Sequence, residues 1–343
     1  MTDSGSLRLS AVIPNFNHGS VIGEAIRAIA EQEPTADEII VVDDGSTDNS
    51  IEVLQCLSQE FPRLRVVRFE ENQGAIQALN RGLQEARGKY VNFGAADDLT
   101  RPGLFAAMLG ALNSHPRAAF ACCEAAVVDM ETGRTGYRPP VRPSYTRAFF
   151  EPSEVVELLH RIDNWILSGT ALVRRDVVSE IGGFDPTLGA FGDGYLFRKL
   201  ALRHGFCFVP QLGLIWRVSA KGLSRLQAAS FSDSTSMPSL VVARMRADPD
   251  FPSWYLYVFE RRWRFAVGRI AAIARPMDLA LLTKLDRRAI SRAIMTLAAG
   301  IGGPIGRFLA ISWLALQYRP TSIAGLIRTG FARYCSTKWR KTH

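Results

Sequence analysis

The sequence lacks any Cys-x-x-Cys pair, and its five cysteines are scattered along the chain. This odd, unpatterned count argues against a disulfide framework and a zinc site and favours a reducing compartment. The segment from Met1 to Leu9 is polar and has no apolar core, so we expect no secretion signal. The five histidines, His18 among them, show no metal-ligand spacing, and we interpret them as solvated or structural.

Two phosphate-binding motifs are also missing. The chain has no GxxxxGK[ST] sequence, and no GxGxxG follows its first apolar run. These absences exclude a P-loop and argue against a dinucleotide-binding fingerprint. What remains is a chain of 343 residues with 47% apolar and 22% charged residues, a composition that is ordinary for a globular protein of one large or two modest domains.

The positive charge is concentrated in the last part of the chain. The net charge is +8, yet residues 260–343 hold 16 Lys/Arg against 3 Asp/Glu, and the rest of the chain is acidic. Such a segment indicates an anionic partner, either lipid headgroups or nucleic acid. Because no nucleic-acid recognition motif accompanies the charge, we expect an anionic membrane surface as partner and no nucleic acid.

Short apolar runs alternate with helical segments up to about residue 115, which is typical of βαβ units. The pattern there predicts strands at Leu9–Pro14, Glu38–Asp43, Arg65–Arg68 and Tyr90–Phe93, and helices at Gly19–Gln32, Asn49–Phe61 and Gly74–Glu85. Beyond it, the pattern predicts strands at Ala118–Cys123, Trp165–Val173, Phe206–Val209 and Leu214–Val218, and helices at Arg175–Ile181 and Asp193–His204.

Two pairs of adjacent carboxylates follow predicted strands. Asp43 and Asp44 end the second strand at a Gly-Ser-Thr turn, where the alternatives are a sugar or nucleotide site and a plain Asp-Gly turn. Asp97 and Asp98 follow the fourth strand and repeat this arrangement, which favours the site. Carboxylates so placed indicate a hard cation, Mg²⁺ or Mn²⁺, that shares the phosphates of a diphosphate ligand.

Several ordered segments, from about Leu9 to Ser224, carry a family resemblance. They are Ser10-Ala-Val-Ile-Pro-Asn-Phe-Asn17, Val42-Asp-Asp-Gly-Ser-Thr-Asp48, Asn72-Gln-Gly-Ala75, Gly88-Lys-Tyr-Val91, Ala96-Asp-Asp98, Ser168 to Asp176, Gly182-Gly-Phe-Asp185 and Gly192 to Ala201. In this order and spacing they resemble family 2 glycosyltransferases. The resemblance implies an α/β fold of the GT-A (nucleotide-diphospho-sugar transferase) type, a Rossmann-like mixed sheet flanked by helices, to which the chain adds a C-terminal basic helical region.

The resemblance also implies roles for individual residues. Phe16 stacks on the nucleotide base, Asp97 faces the ribose or the donor sugar and diphosphate, and Asp98 ligates Mg²⁺ or Mn²⁺. Asp193 is the general base that deprotonates the acceptor, although it could also be a mere helix N-cap. The nucleotide-binding residues are Pro14, Asn15, Phe16, Asn17, Asp43, Asp44 and Gly74.

The chain departs from the family pattern at three positions. Ala95 stands where a further acid is common, Gly192 stands where a Glu usually precedes the catalytic Asp, and Ser219 stands where a His is often found. These departures motivate a second hypothesis, a non-catalytic nucleotide-sugar-binding or scaffold protein attached to the membrane.

We predict a glycosyltransferase domain at residues 1–229, with a nucleotide-binding half at 1–115 and an acceptor half at 116–229. Residues 230–343 are predicted to form a serine-rich linker and a basic amphipathic helical region. The helix Trp254–Ala274 either packs on the catalytic domain with solvated arginines or lies at a membrane interface through its apolar face, and we favour the interface. Residues 293–318 are long enough to cross a bilayer, but Arg307 and the break at Gly302-Gly303-Pro304 argue against a span.

The sequence thus predicts a cytoplasmic, inverting, metal-dependent glycosyltransferase, peripheral on the inner face of the plasma membrane. It would move a sugar from a nucleotide-sugar donor to a glycan or lipid-linked acceptor in cell-surface polysaccharide biosynthesis.

Overall fold

The computed structural model describes residues 8–219, 231–274, 276–318, 325 and 327–334, without the side chains of residue 190 and of residues 231–236. Within these residues the chain forms two compact units. The first contains residues 8–158, 164–219 and 329–334, and the second contains residues 159–163 and the described residues from 231 to 328. The predicted domain boundary between residues 229 and 230 lies outside the described residues, and residues 329–334 group with the first unit.

The first unit is built on a mixed sheet. Its described strands are β1 Leu9–Asn15, β2 Glu38–Asp43, β3 Leu64–Arg68, β4 Tyr90–Phe93, β5 Leu99–Thr100, β6 Phe120–Asp129, β7 Thr135–Arg138, β8 Ala148–Phe150, β9 Leu172–Arg174 and β10 Phe206–Val218. They lie in the order β3-β2-β1-β4-β9-β6-β10-β5, with β7 on β6 and β8 on β10. β1 to β4 pair in parallel, whereas β9 is antiparallel to both β4 and β6.

Helices lie on both faces of this sheet. The α-helices are α1 Ile22–Ala30, α2 Ser50–Glu60, α3 Ala75–Glu85, α4 Leu104–Ser114, α5 Pro152–Arg161, α6 Arg175–Glu180 and α7 Gly192–His204. Alternate residues of β1 divide between the faces: Leu9 and Ile13 join the core formed with α1, α2 and α4, and Val12 faces α3. There Gly82 contacts Val12 so closely that a Cβ atom could not be added, which explains a glycine inside α3.

The parallel pairing brings the carboxyl ends of three strands together. β2 is buried along its whole length, and Asn15 at the end of β1 pairs in register with Asp43. β4 pairs with β1 as far as Val12 and Phe93, after which the chain enters the segment that carries Asp97 and Asp98. Both carboxylate pairs therefore leave the same edge of the sheet.

Two predictions for the second half of this unit are wrong in detail. Trp165–Val173 is not a continuous strand: it contains a 3₁₀ helix at Ser168–Thr170 and contributes only the first residues of β9. The turn forms because the Thr170 hydroxyl donates to the Leu167 carbonyl oxygen at 2.6 Å, while Trp165 is buried against Phe206. The two predicted strands after residue 205 are one strand, β10, with irregular pairing between Phe208 and Leu214.

The second unit is helical. Its main helices are α8 Phe231–Ala247, α9 Ser253–Ile273, α10 Leu279–Leu285, α11 Ala289–Ile301 and α12 Gly303–Tyr318. The serine-rich stretch predicted as a linker lies largely in α8, because Val241 and Met245, one turn apart, are fully buried and packing overrides weak propensity. α11 and α12 are separated at Gly302 and Gly303, both with positive φ. Among the described residues no helix is long and apolar enough to cross a membrane.

The apolar face of α9 is directed into this unit. Leu256, Phe259 and Val267 are buried, so the prediction that this face lies at a membrane interface is wrong, and these residues pack within the helical unit. Nor are all its arginines solvated, since Arg262 donates to the Leu159 carbonyl oxygen at 2.8 Å and lies 3.3 Å from Asp163.

A buried ion cluster joins residues 329–334 to the rest of the first unit. Glu124, on β6, accepts a hydrogen bond from Arg142 at 2.6 Å through one carboxylate oxygen and bonds from Arg333 through the other. The Thr329 hydroxyl also accepts from the Arg142 backbone amide at 3.1 Å. Two guanidinium groups thus neutralise one carboxylate in a nearly dry environment.

We expect Glu124→Ala to lower the free energy of unfolding by about 3–5 kcal/mol, because it leaves two buried arginines without their anion. Urea unfolding followed by circular dichroism measures the loss. The matched control is Glu151→Ala, which breaks the exposed pair with Arg117 and should cost at most about 1 kcal/mol. Equal losses in the two variants would show that the cluster does not hold the first unit together.

Candidate active site

The ends of β1 and β2 are joined by hydrogen bonds to Asp43. The Asn15 side-chain amide donates to Oδ2 of Asp43 at 2.8 Å, and the Ser46 backbone amide donates to Oδ1 at 3.0 Å. Asp43 is fully buried, so both carboxylate oxygens are engaged by the protein itself. Asp43 therefore stabilises the shape of the loop. Any effect of Asp43 on nucleotide binding is indirect, through the positions of Asn15 and Ser46.

Asp44 connects the same turn to the start of α3. Its two oxygens accept hydrogen bonds from the backbone amides of Gln73, at 2.7 Å, and Gly74, at 2.8 Å. Burial raises the pKa of Asp44, while these two amides and the N-terminal end of the helix favour the charged form. The Asp-Gly turn of the alternative interpretation is present as well, since Gly45 has a φ of 71°.

The loop after β1 holds Phe16 outward between two anchored asparagines. Asn15 is buried, and the Asn17 side-chain oxygen accepts from the Thr47 backbone amide at 2.8 Å. Asn17 adopts a φ of 57°, which turns the chain here. Phe16 remains 39% exposed, so its ring offers an apolar face beside Pro14 at the strand end.

The Asp98 carboxylate is buried, and hydrogen bonds within the protein make up for little of its lost hydration. Its Oδ1 accepts from the Arg217 backbone amide at 3.0 Å, and within the described part of the chain Oδ2 accepts no hydrogen bond. Burial, and then the neighbouring Asp97, raise the pKa of Asp98 to about 8. Asp97 is partly exposed, and its carboxylate lies 4.0 Å from His18 Nε2.

The donor set at Asp97 and Asp98 fits a divalent cation. Burial and the neighbouring Asp97 disfavour the charged form of Asp98, and the Arg217 amide and charge offset this only in part. A hard cation prefers carboxylate oxygen and would favour the charged form. The described residues contain no cluster of three or more His, Cys, Asp or Glu side chains that could hold a metal. A cation here would therefore complete its coordination with phosphate oxygens and water.

Asp193 lies in the first turn of α7, with its carboxylate turned back to the helix start. Its Oδ1 accepts from the Gly194 backbone amide at 2.5 Å, and the Ser168 hydroxyl and Arg198 also favour the charged form. Burial outweighs them and raises the pKa of Asp193. A Cβ atom added at Gly194 would lie 2.9 Å from the Phe191 ring and 3.0 Å from the Arg198 guanidinium that donates to the Gly194 carbonyl oxygen, so a larger residue there would displace these side chains.

Asn92 of β4 brings Asp193 to the edge of the sheet that carries Asp98. Its side-chain amide donates to the carbonyl oxygens of Gly169, at 3.3 Å, and Ala171, at 2.9 Å. This fixes the turn containing Ser168 next to β4, and Ser168 in turn hydrogen bonds to Asp193. The structure thereby links Asp193 to the strand that precedes Asp97 and Asp98.

Four residues near these carboxylates were missed in the sequence. His18 directly follows the Asn17 loop, and that adjacency was the available signal. Arg217 lies two residues before Ser219, where the family often has a His, and only that missing His was considered. The Arg217 backbone amide donates to Asp98, and the Arg217 side chain pairs with Glu24 at 2.6 Å. Ser168 and Arg198 lay inside matched segments without an assigned role.

Comparison with known families identifies the chain. Residues 10–182 match the family described as Glycosyl transferase family 2. The chain belongs to glycosyltransferase family 2. This family 2 protein is 38% identical over 102 residues to YibD of Escherichia coli K12, an uncharacterized glycosyltransferase, and the match covers 30% of this chain and 29% of that protein. It is also 36% identical over 109 residues, 32% of each chain, to the succinoglycan biosynthesis protein ExoU of Rhizobium meliloti.

Solved structures show the fold of this family 2 protein. Residues 1–349 of TarS from S. aureus, in complex with UDP-GlcNAc, align with a TM-score of 0.62 over 91% of this chain and 92% of that chain, at 16% identity. The mannosyltransferase PcManGT from Pyrobaculum calidifontis, in complex with GDP-Man and Mn²⁺, aligns with a TM-score of 0.58 over 92% and 87%, at 19% identity. These alignments confirm the predicted GT-A fold.

We expect the contribution of Asp98 to the stability of the protein without divalent cations to fall as pH rises from about 4 to about 8. The pKa of Asp98 is raised from 3.8 to about 8, so between these values this carboxyl group binds more protons in the folded protein than in the unfolded chain. Asp98→Asn should flatten the profile by up to about 1.4 kcal/mol per pH unit. Urea unfolding at pH 5, 6 and 7 tests this, and parallel profiles for the two proteins would contradict it.

Proposed function

We propose that this family 2 protein transfers a glycosyl group from a nucleoside-diphosphate sugar to a hydroxyl group of a glycan or lipid-linked acceptor, with inversion. The observation that carries the proposal is that the buried Asp98 carboxylate and the half-buried Asp193 carboxylate are both linked to β4, through Asn92 and Ser168. The nucleotide-sugar complexes of the two aligned structures support this choice of donor.

The nucleotide would bind at the ends of β1 and β2. Phe16 offers a ring for stacking on the base, and Asn17, Asp43 and Asp44 keep the surrounding loops in place. Gly74 places no side chain at the start of α3, and a Cβ atom added there would meet open space among the described atoms. This arrangement favours an aromatic base and a ribose close to the backbone.

The diphosphate would lie at Asp97 and Asp98, with Mg²⁺ or Mn²⁺ held by these carboxylates. A bound divalent cation supplies positive charge that stabilises the departing nucleoside diphosphate. Asp98 contributes a buried oxygen and Asp97 a more exposed one, so Asp97 is free to approach the ribose or the donor sugar. The Mn²⁺ complex of PcManGT supports the cation proposal.

Asp193 would act as the general base. As the acceptor oxygen forms its bond to the anomeric carbon, its proton passes to the Asp193 carboxylate and the bond from that carbon to the diphosphate oxygen breaks. A raised pKa makes this carboxylate a stronger base than an exposed aspartate. One displacement of this kind inverts the anomeric centre.

The basic C-terminal part and the relative ExoU support a place in polysaccharide biosynthesis at a membrane. Lipid-linked acceptors are held at a bilayer surface, and a cationic segment raises the local concentration of a protein at anionic lipid. We propose a cytoplasmic protein, peripheral on the inner face of the plasma membrane.

We expect Asp193→Asn to lower glycosyl transfer by roughly 10²- to 10⁴-fold, since the acceptor proton loses its base. Asp98→Asn should lower transfer and weaken activation by Mn²⁺. Donor turnover across a panel of nucleotide sugars with Mn²⁺ measures both effects. The matched control is Asp185→Asn, because the Asp185 carboxylate caps the adjacent turn at Thr187 and its loss should leave turnover within a few-fold of wild type.

Near-normal turnover in both Asp98→Asn and Asp193→Asn would overturn the mechanism. Tight nucleotide binding by the wild-type protein without turnover on any acceptor would instead favour the non-catalytic alternative.

We expect Phe16→Ala to weaken binding of the nucleoside diphosphate by roughly 5- to 150-fold, which corresponds to the loss of one base–aromatic stack. Phe16→Tyr should retain the affinity, because the ring is kept. Isothermal titration calorimetry with UDP and GDP measures the change. Val66→Ala serves as control, since Val66 is 37% exposed, close to the 39% of Phe16, but lies in β3. Equal affinities of Phe16→Ala and wild type would remove Phe16 from the site.

A further inference from the structure

The second unit leaves a row of large apolar side chains in water. On α11 and α12 these side chains are between 50% and 74% exposed, and they are Ile290, Leu297, Ile301, Ile305, Phe308 and Leu316. Their spacing places each set along one side of its helix. Another side of each helix supplies the core of the unit, through Met295 and Ala298 on α11 and Ala310 and Leu314 on α12. Each helix therefore has a second apolar side that the described residues do not cover.

The two helices form a hairpin, here called the apolar hairpin (residues 289–318). Gly306 near the start of α12 contacts the Ala298 carbonyl near the end of α11. At the other end, Trp313 Nε1 donates to the Ser291 hydroxyl at 3.1 Å. This pairing is antiparallel, and it places Ile301 and Ile305 at the closed end. Large apolar side chains exposed on two paired helices mark a site of contact with another surface.

A basic cavity lies at the open end of the apolar hairpin. It has a volume of about 650 Å³, and its lining includes Gln317 and Tyr318 at the end of α12. Its charged lining consists of Arg261, Arg264, Lys284, Arg287 and Arg288 with Glu260 and Asp286. The two acids are engaged by arginines of the same lining, Glu260 by Arg264 at 2.7 Å and Asp286 by Arg288 at 2.9 Å.

The cavity keeps an excess of positive charge after these pairs are formed. Arg261 and Arg287 have no carboxylate partner among the described residues, and Arg261 Nε is buried without a hydrogen-bond partner there. Exposed Ile290 lies two residues after Arg288, and exposed Leu316 lies next to Gln317. Cationic and exposed apolar residues are thus close together in the chain at this end.

The excess of positive charge indicates which kind of partner this surface contacts. Residues 287–343 contain ten Lys/Arg and no Asp or Glu. A second copy of this chain would bring the same excess of positive charge to the contact, and like charges disfavour that association. An anionic bilayer supplies both an apolar layer for the hairpin and phosphates for the arginines.

We propose that the apolar hairpin is a membrane-docking element that enters one leaflet without crossing it, and that the basic cavity binds the phosphate of an anionic lipid headgroup. This inference deepens the membrane association proposed above and names the surface that makes it. It does not depend on the transfer chemistry. It also replaces α9, whose apolar face is buried, as the element in contact with lipid.

The test is cosedimentation of the full-length protein with vesicles of phosphatidylcholine alone and with 30 mol% phosphatidylglycerol, at roughly 0.05 and 0.5 M salt. Wild type should bind the anionic vesicles, and less so at high salt. Ile305→Asp with Phe308→Asp should lower the partition at least tenfold. The matched control, Val66→Asp with Met130→Asp, adds the same charge at exposed apolar positions of the first unit and should stay within about twofold.

A second pair of variants tests the cavity. Arg261→Gln with Arg287→Gln should remove most of the preference for anionic over neutral vesicles, whereas Arg117→Gln with Arg134→Gln, at exposed positions of the first unit, should keep it. Circular dichroism verifies that each variant is folded.

Three outcomes would overturn the proposal: no vesicle binding by wild type, equal binding by the Ile305/Phe308 variant, or a wild-type dimer that this variant dissociates. Donor turnover without vesicles should be unchanged in the hairpin variants. Absence of turnover in wild type would refute the proposed function while leaving the docking result valid.

Discussion

Three of the carboxylates that follow β2 and β4, those of Asp43, Asp44 and Asp98, lie out of water, and the loops around them supply hydrogen bonds that water would otherwise supply. Asp43 and Asp44 receive theirs from Asn15, Ser46, Gln73 and Gly74, which fixes the first loop, the Asp-Gly turn and the start of α3 relative to one another. Asp98 receives one such bond, and its raised pKa reflects an unmet demand for positive charge. The difference separates Asp43 and Asp44, whose carboxylates are satisfied by the surrounding loops, from Asp98, whose carboxylate is not.

The sequence was most informative where chemistry and periodicity coincide. β2 is buried throughout, so an unbroken apolar run predicted it with its bounds, and the acids at strand ends followed from the parallel pairing. The contacts of His18 and Arg217 were not predictable, since they join residues distant in the chain and Arg217 acts through its backbone amide. The apolar face of α9 had the composition of an interfacial helix, and only the packing of α12 against it distinguishes a core from a membrane contact.

One departure from the family pattern changes the surroundings of Asp193. A Cβ atom at Gly192 would lie 3.2 Å from the Cδ1 atom of Ile76 on α3, so an acid there requires a small shift of that side chain. Arg198, on the same helix as Asp193, supplies a charged neighbour, with sign opposite to the missing Glu. Arg198 lowers the pKa of Asp193, whereas an acid would raise it. The pKa of Asp193 therefore reflects burial, which raises it, and the charge of Arg198, which lowers it.

Residues 329–334 belong to the first unit, so the C-terminal part of the chain contributes to both units. Topologically, the helical unit is an insertion closed at both ends by the glycosyltransferase unit, rather than an appendage that follows it. A stop codon just after Tyr318 would leave all five main helices of the insertion in place, yet it would strip Arg333 from buried Glu124. Premature termination there would therefore destabilise the glycosyltransferase unit. A fusion protein in which this chain ends near residue 318 would lack the same contact.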